Sequence, residues 1–268
     1  MPLKPYNEAK ILMATPHLGS FSAAYHQSSH MMEKPGETML VWQGFTYLDD
    51  ARNIAIQRFL ATKCSHILFV DSDMAWHANA ARVLYEHDKD ICSALYYMRA
   101  WPYSPVAYWN NLDGTYRSIE NDANAGGLLQ VDMVGAGFLL IKRHVIEAFW
   151  DTDMGQKIDC GRVHNLKQCL CRTCLRAPDK CNWFPVAHGG DTCVKIGTPS
   201  CPRYSPRRIE PFLKKDFGED VFFCRQATRL GFEVWVDLDL VARHVTSASV
   251  IHKTYQEGNL FLTWEGIV

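Results

Sequence analysis

The sequence lacks the features that mark membrane, secreted and repetitive proteins. None of its stretches approaches the roughly 18 uninterrupted apolar residues of a membrane helix, and the N-terminus lacks the apolar run of a signal peptide. It has no internal repeat and no low-complexity tract. With 268 residues and 47% hydrophobic content, the chain can bury one substantial core, or one core and a small appended module. We therefore expect a soluble, cytoplasmic protein with one main domain.

Charge and cysteine are distributed unevenly along the chain. The formal net charge is only −1, yet residues 157–215 carry twelve Lys/Arg and four Asp/Glu, a net of +8. The remainder carries 16 basic and 25 acidic residues, a net of −9. Seven of the ten cysteines fall within 42 residues of the same segment, whereas Cys64, Cys92 and Cys224 stand singly in apolar or helical surroundings. We expect these three to be buried thiols.

Apolar patterning predicts an α/β fold. Strand-like and helix-like segments alternate, which predicts a mixed, mostly parallel sheet flanked by helices. In open sheets of this kind, ligands bind beyond the carboxyl ends of the strands. The predicted strands are 9–16, ended by Pro16, then 66–70, 91–97, a glycine-interrupted pair at 131–141, and 232–236; the predicted helices are 48–61, 78–88, 143–150 and 221–230.

Two carboxylates, Asp71 and Asp73, stand where the apolar strand at 66–70 stops. In an extended segment the side chains at i and i+2 point the same way, about 7 Å apart, so both can converge on one ion or its water shell. Such hard oxygen ligands suit Mg²⁺ or Mn²⁺ bridging a diphosphate, and the metal offsets charge on a leaving nucleotide. The alternative is a solvated turn without chemistry, since the Asp-x-Asp tripeptide is common.

Five short motifs, in this order, resemble the GT-A family of glycosyltransferases, particularly the branch of mannan-polymerase-like subunits and related viral and bacterial enzymes. The resemblance spans residues 9–156 and 209–247, and its specificity rests on order and spacing. The cysteine-rich segment lies outside it. The motifs are Ala51-Arg52-Asn53, Ile67-Leu68-Phe69-Val70-Asp71-Ser72-Asp73, Val134-Gly135-Ala136-Gly137-Phe138, Gly218-Glu219-Asp220 and Arg243-His244.

The resemblance implies a GT-A-like fold, a nucleoside diphosphate sugar as donor, Mn²⁺ or Mg²⁺ as cofactor, and sugar transfer to a hydroxyl. The implied donor-site residues are Thr15 and Pro16 beside the nucleotide base, Arg52 near the diphosphate or ribose, and Asp71, Asp73 and His244 at the metal.

On the acceptor side the resemblance implies Glu219 and Asp220. If the enzyme inverts stereochemistry, one of them is the general base, because a carboxylate must take the proton of the acceptor hydroxyl. If it retains, they merely orient the acceptor. Each assignment has an alternative. The two acids would only stabilise a helix N-terminus, and His244 would be a surface histidine or one whose hydrogen bonds are already made. Gly135 and Gly137 would permit a bulge rather than make room for a sugar.

The cysteine-rich segment predicts one or two structural Zn²⁺ sites, because it supplies more than the four ligands of one tetrahedral ion. Disulfides and free thiols are the competing interpretations, and a reducing compartment disfavours disulfides. Catalytic zinc is disfavoured because sulfur-rich closed sites leave no open position. The candidate ligands are Cys160, Cys169, Cys171, Cys174, Cys181, Cys193, Cys201, His164 and His188.

A zinc-held basic module suggests a polyanionic partner. Its charge, with Trp183, Phe184 and Tyr204, suits phosphates and stacked bases, so the preferred acceptor is a hydroxymethylated pyrimidine in viral, for instance bacteriophage, DNA. The alternatives are a glycan, lipid or protein acceptor, a zinc-dependent nucleic-acid-binding protein on a degenerate transferase scaffold, or a basic segment that contacts another subunit. The predicted organisation is 1–156 for the nucleotide-sugar part, 157–208 for the zinc-binding insertion and 209–268 for the acceptor and metal-site part.

Overall fold

The structure is a computed structural model, which describes residues 3–44, 47–111, 115–120, 122–149, 211–212, 218–246, 249–256 and 259–266. The described residues up to 148 and from 211 onwards belong to one compact unit. The helices are α1 Ala23–Met31, α2 Leu48–Leu60, α3 Ala80–Glu86, α4 Arg143–Ala148 and α5 Glu219–Arg229. The strands are β1 Lys10–His17, β2 Glu37–Gly44, β3 His66–Val70, β4 Met74–Ala75, β5 Ile91–Leu95, β6 Ala107–Asn110, β7 Tyr116–Ser118, β8 Leu128–Val131, β9 Met133–Val134, β10 Phe138–Lys142, β11 Val234–Val241, β12 Arg243–Thr246, β13 Ser249–Gln256 and β14 Asn259–Gly266.

The central sheet has seven strands in the order β2-β1-β3-β10-β5-β11-β8. The pairs β1–β2, β1–β3 and β5–β11 are parallel, whereas β10 and β8 run antiparallel to their neighbours. Five of the seven strands therefore run in one direction. Helix α2 packs on β1 and β2, and α3 packs on β5, β10 and β11. The predicted mixed, mostly parallel sheet flanked by helices is confirmed.

The strand that leads to the two aspartates is apolar throughout because both faces are covered. All five residues of β3 are buried, and Phe69 and Val70 are fully enclosed. The neighbouring helix α2 buries the stripe Arg52, Ala55, Ile56 and Phe59, spaced by three and four residues. Arg52 therefore occupies an apolar-face position of an amphipathic helix, which carries its charge into the core.

The first strand extends further than the sequence predicts. Pro16 was expected to end it, but β1 continues through Pro16 to His17, paired with β2 along its whole length. The pairing of β1 with β3 stops at Ala14. Beyond Ala14 the strand has β2 on one side, so a residue without an N–H can be accommodated on the other.

Two smaller sheets complete the described fold. Strands β4, β12, β13 and β14 form one, and β6, β7 and β9 form the other. In the first, Arg243 lies opposite Ala75 and His244 opposite Met74, so a late strand reaches the residues that follow Asp73. The expected buried thiols are confirmed, since Cys64, Cys92 and Cys224 are free and buried. No helix in the described ranges is long and apolar enough to span a membrane.

Candidate active site

The aspartates lie at the carboxyl end of β3, where the chain turns. The Asp71 N–H donates to the Gly137 carbonyl (2.9 Å), and the Met74 N–H donates to the Asp71 carbonyl (3.1 Å). The second bond closes a four-residue turn. The expectation of an extended segment at Asp71–Asp73 is therefore wrong. A turn brings the two carboxylates to one edge of the sheet, and strand β4, which follows the turn, pairs with β12.

The Asp71 carboxylate is held from one side. Its side chain is 25% exposed, and Arg52 Nη2 lies 3.2 Å from Oδ1 and donates to Oδ2 at 3.4 Å. Among the described residues no donor has hydrogen-bond geometry to Oδ1, although the atom is buried. Burial raises the pKa of Asp71, Arg52 opposes that rise, and the nearby charge of Asp73 adds to it. Asp71 Oδ1 is therefore ion-paired with Arg52 but accepts no hydrogen bond from the described residues.

Asp73 lies nearer to solvent and pairs with a different arginine. Arg99 Nη1 is 2.6 Å from Asp73 Oδ2. The Asp73 carbonyl accepts the N–H of Val245 at 2.7 Å, which ties the turn to β12. Sequence reasoning missed Arg99, because it belongs to no motif and reaches Asp73 across 26 residues.

His244 is fixed in one tautomer by its partner. Its Nδ1 lies 2.5 Å from the Tyr97 carbonyl oxygen, and its ring meets the Tyr96 ring edge-on at 5.1 Å between centroids. A carbonyl oxygen can only accept, so Nδ1 carries the hydrogen and the lone pair of the neutral ring is on Nε2. A backbone carbonyl bound at one ring nitrogen is the usual arrangement behind a histidine metal ligand.

Arg52 joins the two halves of the site. Its side chain is 2% exposed. It donates to the Ala136 carbonyl (3.1 Å) and to Glu219 Oε1 (3.2 Å) in addition to Asp71. Phe69 and Phe212 lie 5.7 and 6.0 Å from the guanidinium carbon. Burial by itself lowers the pKa of Arg52, but Asp71 and Glu219 together hold it above its ordinary value.

Asn53, the residue after Arg52, anchors the chain at Phe212. Asn53 Nδ2 donates to the Phe212 carbonyl (2.5 Å), and its Oδ1 accepts the Phe212 N–H (3.1 Å). The Phe212 ring stacks on Phe223 of α5 at 4.7 Å. The Arg-Asn pair of α2 therefore orients both Asp71 and the chain at Phe212.

The two acids at the start of α5 differ in their surroundings. Glu219 is bound to Arg52, while Asp220 Oδ1 accepts the N–H of Val221 at 2.8 Å. Burial, followed by the neighbouring charge of Glu219, raises the pKa of Asp220 to about 6, against the opposing effect of Arg52. Gly218 precedes them with φ +112°, a conformation that favours glycine. Asp220 is thus poised to change protonation near neutral pH.

Tyr96 is a site residue that sequence reasoning missed. It is buried, and its hydroxyl accepts the Gly137 N–H at 3.0 Å. A Cβ added at Gly135 would lie 1.9 Å from the Tyr96 hydroxyl oxygen. The glycine pair therefore makes room for this ring, and the ring orders the segment whose carbonyl receives the Asp71 N–H. A glycine pair in an apolar strand signals such a close approach, but it does not identify the partner.

Thr15 and Pro16 lie at the carboxyl end of the neighbouring strand β1. Both are buried, and Thr15 Oγ1 is 2.7 Å from the hydroxyl of Tyr25. His17 follows, 4.9 Å from the ring of Phe21 between centroids. The structure thus brings Arg52, Asp71, Asp73, His244, Glu219 and Asp220 into one cluster, and places Thr15 and Pro16 at the end of the adjacent strand.

The described residues do not form a ready-made cage of ligands. Within the described ranges, no three His, Cys, Asp or Glu side chains converge closely enough to hold a metal ion. In this arrangement Arg52 and Arg99 occupy positions beside the two aspartates. The predicted zinc ligands between Cys160 and Cys201, including His164 and His188, lie outside the described residues.

The fold is a mixed, mostly parallel α/β arrangement, and it is shared with a solved structure. The chain is similar in fold to A197 from STIV, with a TM-score of 0.50 and 15% sequence identity, over 97% of this chain and 96% of that one. GalNAc-T7, whose crystal structure contains UDP, GalNAc and Mn²⁺, gives a TM-score of 0.48 at 9% identity, over 93% of this chain and 44% of that one. At these identities the likeness is one of fold. No protein-family model and no curated protein matches the sequence.

Proposed function

We propose that this chain is a metal-dependent glycosyltransferase that moves a sugar from a nucleoside diphosphate sugar to a hydroxyl. The observation that carries the proposal is Asp71 Oδ1, a buried carboxylate oxygen without a hydrogen-bond donor among the described residues. It lies at the carboxyl end of a central strand, where α/β folds bind ligands. Arg52 Nη2 lies 3.2 Å from this oxygen and compensates part of its charge, but without hydrogen-bond geometry, so the oxygen keeps its lone pairs for a metal ion.

The types of donor fit Mn²⁺ or Mg²⁺, although the described side chains do not converge on one point. Asp71 and Asp73 supply hard oxygens that suit both ions, and His244 supplies Nε2, a nitrogen that Mn²⁺ accepts more readily than Mg²⁺. When bound, the ion offsets the negative charge of the departing nucleoside diphosphate. Arg52 contributes to the donor site indirectly, because its ion pairs hold Asp71 and Glu219 in place.

The nucleotide base is assigned to the end of β1. Thr15 and Pro16 are buried there, and the bond between Thr15 and Tyr25 stiffens the strand end on which a base would lie. The carboxyl end of β1 is adjacent to that of β3 through parallel pairing, so base and diphosphate subsites would be neighbours.

Asp220 is the better candidate for the general base of an inverting reaction. Glu219 is engaged by Arg52, whereas Asp220 has a pKa raised to about 6, near the pH at which a base must work. The deprotonated carboxylate would take the proton of the acceptor hydroxyl as the new bond forms. In a retaining reaction the same residue would orient the acceptor.

The acceptor we propose is a hydroxymethylated pyrimidine in DNA, and the support is compositional. Residues 157–215 carry a net charge of +8, which suits a phosphate backbone. Structural Zn²⁺ bound by the cysteines of 157–208 would supply the folding free energy that a segment poor in large apolar residues lacks. Elemental analysis should give one or two zinc ions per chain, and zinc-free protein would refute this part of the proposal.

Donor hydrolysis tests the proposed chemistry. Wild type, Asp73→Asn and Asp88→Asn are incubated with a panel of nucleoside diphosphate sugars and Mn²⁺. Asp88 is a matched control, because it pairs with Lys142 at 2.7 Å, opposite the start of β3, and its φ of 52° suits asparagine. Loss of an outer-shell partner of a metal ligand lowers metal affinity or activity about 10- to 100-fold. Loss of the ligand itself in Asp73→Asn should therefore lower the rate of donor hydrolysis at least about a hundredfold, whereas Asp88→Asn should hydrolyse the donor at the wild-type rate.

The acceptor is tested in the same assay. Hydroxymethylcytosine DNA should accelerate donor consumption and become glycosylated, and binding should weaken steeply with salt. Turnover without any effect of DNA would leave the chemistry in place and point to a glycan, lipid or protein acceptor. Tight DNA binding without turnover on any donor would refute the enzymatic proposal.

A further inference from the structure

The loop between β5 and β6 reaches back over the aspartate turn. The Met98 N–H donates to the Ser104 carbonyl (3.0 Å), and the Tyr103 N–H donates to the Ala100 carbonyl (2.8 Å). These two bonds close the loop on itself. From it, Arg99 Nη1 extends to within 2.6 Å of Asp73 Oδ2. The loop thus contacts the candidate metal site through this charged pair, and the Tyr97 carbonyl just before the loop binds His244 Nδ1.

The two arginines on the aspartates are held very differently. Arg52 is buried and bound by two carboxylates and a carbonyl, so it cannot leave without exposing unpaired charges. Arg99 is 58% exposed, and Asp73 is 30% exposed. A solvent-exposed pair of this kind is weak, because water and salt compete for both partners. Arg52 is thus a fixed part of the site, and Arg99 is exchangeable.

We propose that Arg99 holds the place of the divalent cation on Asp73 and is displaced when the cation binds, releasing the loop 98–104. The inference rests on the metal site of the proposed function. A guanidinium 2.6 Å from Asp73 Oδ2 repels a metal ion at ligand distance from the same carboxylate, so the two cations compete for Asp73. Cation binding is therefore coupled to the loop that carries Trp101, whose side chain is 73% exposed.

Metal affinity tests the competition. Wild type, Arg99→Gln and Arg82→Gln are titrated with Mn²⁺ alone, and free Mn²⁺ is measured by electron paramagnetic resonance. The free energy of an exposed ion pair corresponds to a factor of about two to five in an equilibrium constant. Arg99→Gln should therefore bind Mn²⁺ about two- to fivefold more tightly than wild type. Arg82 lies on α3 and forms an exposed pair with Glu33, with Nε 2.6 Å from Oε2. Arg82→Gln removes the same charge as Arg99→Gln and should bind Mn²⁺ as tightly as wild type.

Loop release is followed separately. Protein labelled with 5-fluorotryptophan is observed by ¹⁹F NMR, with the Trp101 resonance assigned from Trp101→Phe. Diamagnetic Mg²⁺ should move this resonance in the wild type toward its position in metal-free Arg99→Gln. A general effect of charge on affinity would leave the resonance in place.

Each outcome decides a distinct question. Equal or weaker Mn²⁺ binding by Arg99→Gln, or a Trp101 resonance that Mg²⁺ does not move, would overturn the inference while the metal site stands. A wild type that binds no Mn²⁺ would overturn the inference together with the proposed metal site, whatever the loop does.

Discussion

Replacing Arg52 by methionine should destabilise the folded protein by about 3–5 kcal/mol. The side chain is 2% exposed, so the substitution leaves Asp71 and Glu219 without their buried counter-charge and the Ala136 carbonyl without its donor. Methionine fills much of the same volume between Phe69 and Phe212, so a cavity contributes little to the loss. The loss comes chiefly from uncompensated carboxylates.

The magnitude converts directly into a denaturation midpoint. With a urea m-value of roughly 2–3 kcal/mol/M, a loss of about 3–5 kcal/mol lowers the midpoint by about 1–2.5 M. Arg82→Met, which removes an arginine from exposed pairs with Glu33 and Glu86, should leave the midpoint close to that of the wild type. Adding Glu219→Gln to Arg52→Met should restore part of the loss, because one of the two unpaired charges is then neutral.

The result that refutes this reasoning is specific. If Arg52→Met unfolds at the wild-type midpoint, or if Glu219→Gln deepens the loss instead of relieving it, then Arg52 does not compensate these carboxylates. Its place at the centre of the site would then be a packing role alone.

Further predictions concern the acceptor side and the glycine pair. The pKa of Asp220 in the folded protein is raised to about 6, so ionisation of this carboxyl destabilises the fold as pH rises. Asp220→Asn should therefore be more stable than wild type at pH 8, by up to roughly 3 kcal/mol, and the difference should vanish below about pH 4. Urea unfolding at a series of pH values measures this difference. If Asp220 is the base, wild-type kcat/KM should rise with pH through about 6 and that limb should be lost in Asp220→Asn; a flat profile would contradict the assignment. Gly135→Ala should cost about 1–3 kcal/mol in urea unfolding, because its Cβ would meet the Tyr96 hydroxyl, and Tyr96→Phe in that background should recover part of the loss; an additive loss would contradict the predicted clash.

Local patterning predicted the elements that present the site. The apolar run of β3 and the helical spacing of α2 are each encoded within a few residues, and both elements were found where expected. Strand β12 was not predicted, because its pairing with β4 joins residues some 170 positions apart. Short strands such as β4 carry too few residues to show a period.

The roles of individual charged residues were harder to infer. Arg52 sits in the apolar stripe of α2, a visible sign that its charge enters the core, yet the three groups it binds come from distant parts of the chain. Arg99 and Tyr96 carry no motif, and tertiary contact alone brings them to Asp73 and Gly137. The turn at Asp71 depends on a bond to Gly137, which an extended-strand expectation could not anticipate.

The most direct test of the account is a crystal of the protein grown with Mn²⁺ and a nucleoside diphosphate, with diffraction measured at the manganese edge. We predict one manganese peak, strong just above the edge and lost just below it, within ligand distance of Asp71 Oδ1, an Asp73 carboxylate oxygen and His244 Nε2, with Arg99 withdrawn from Asp73. A peak elsewhere, with the Arg99–Asp73 pair intact, would contradict it.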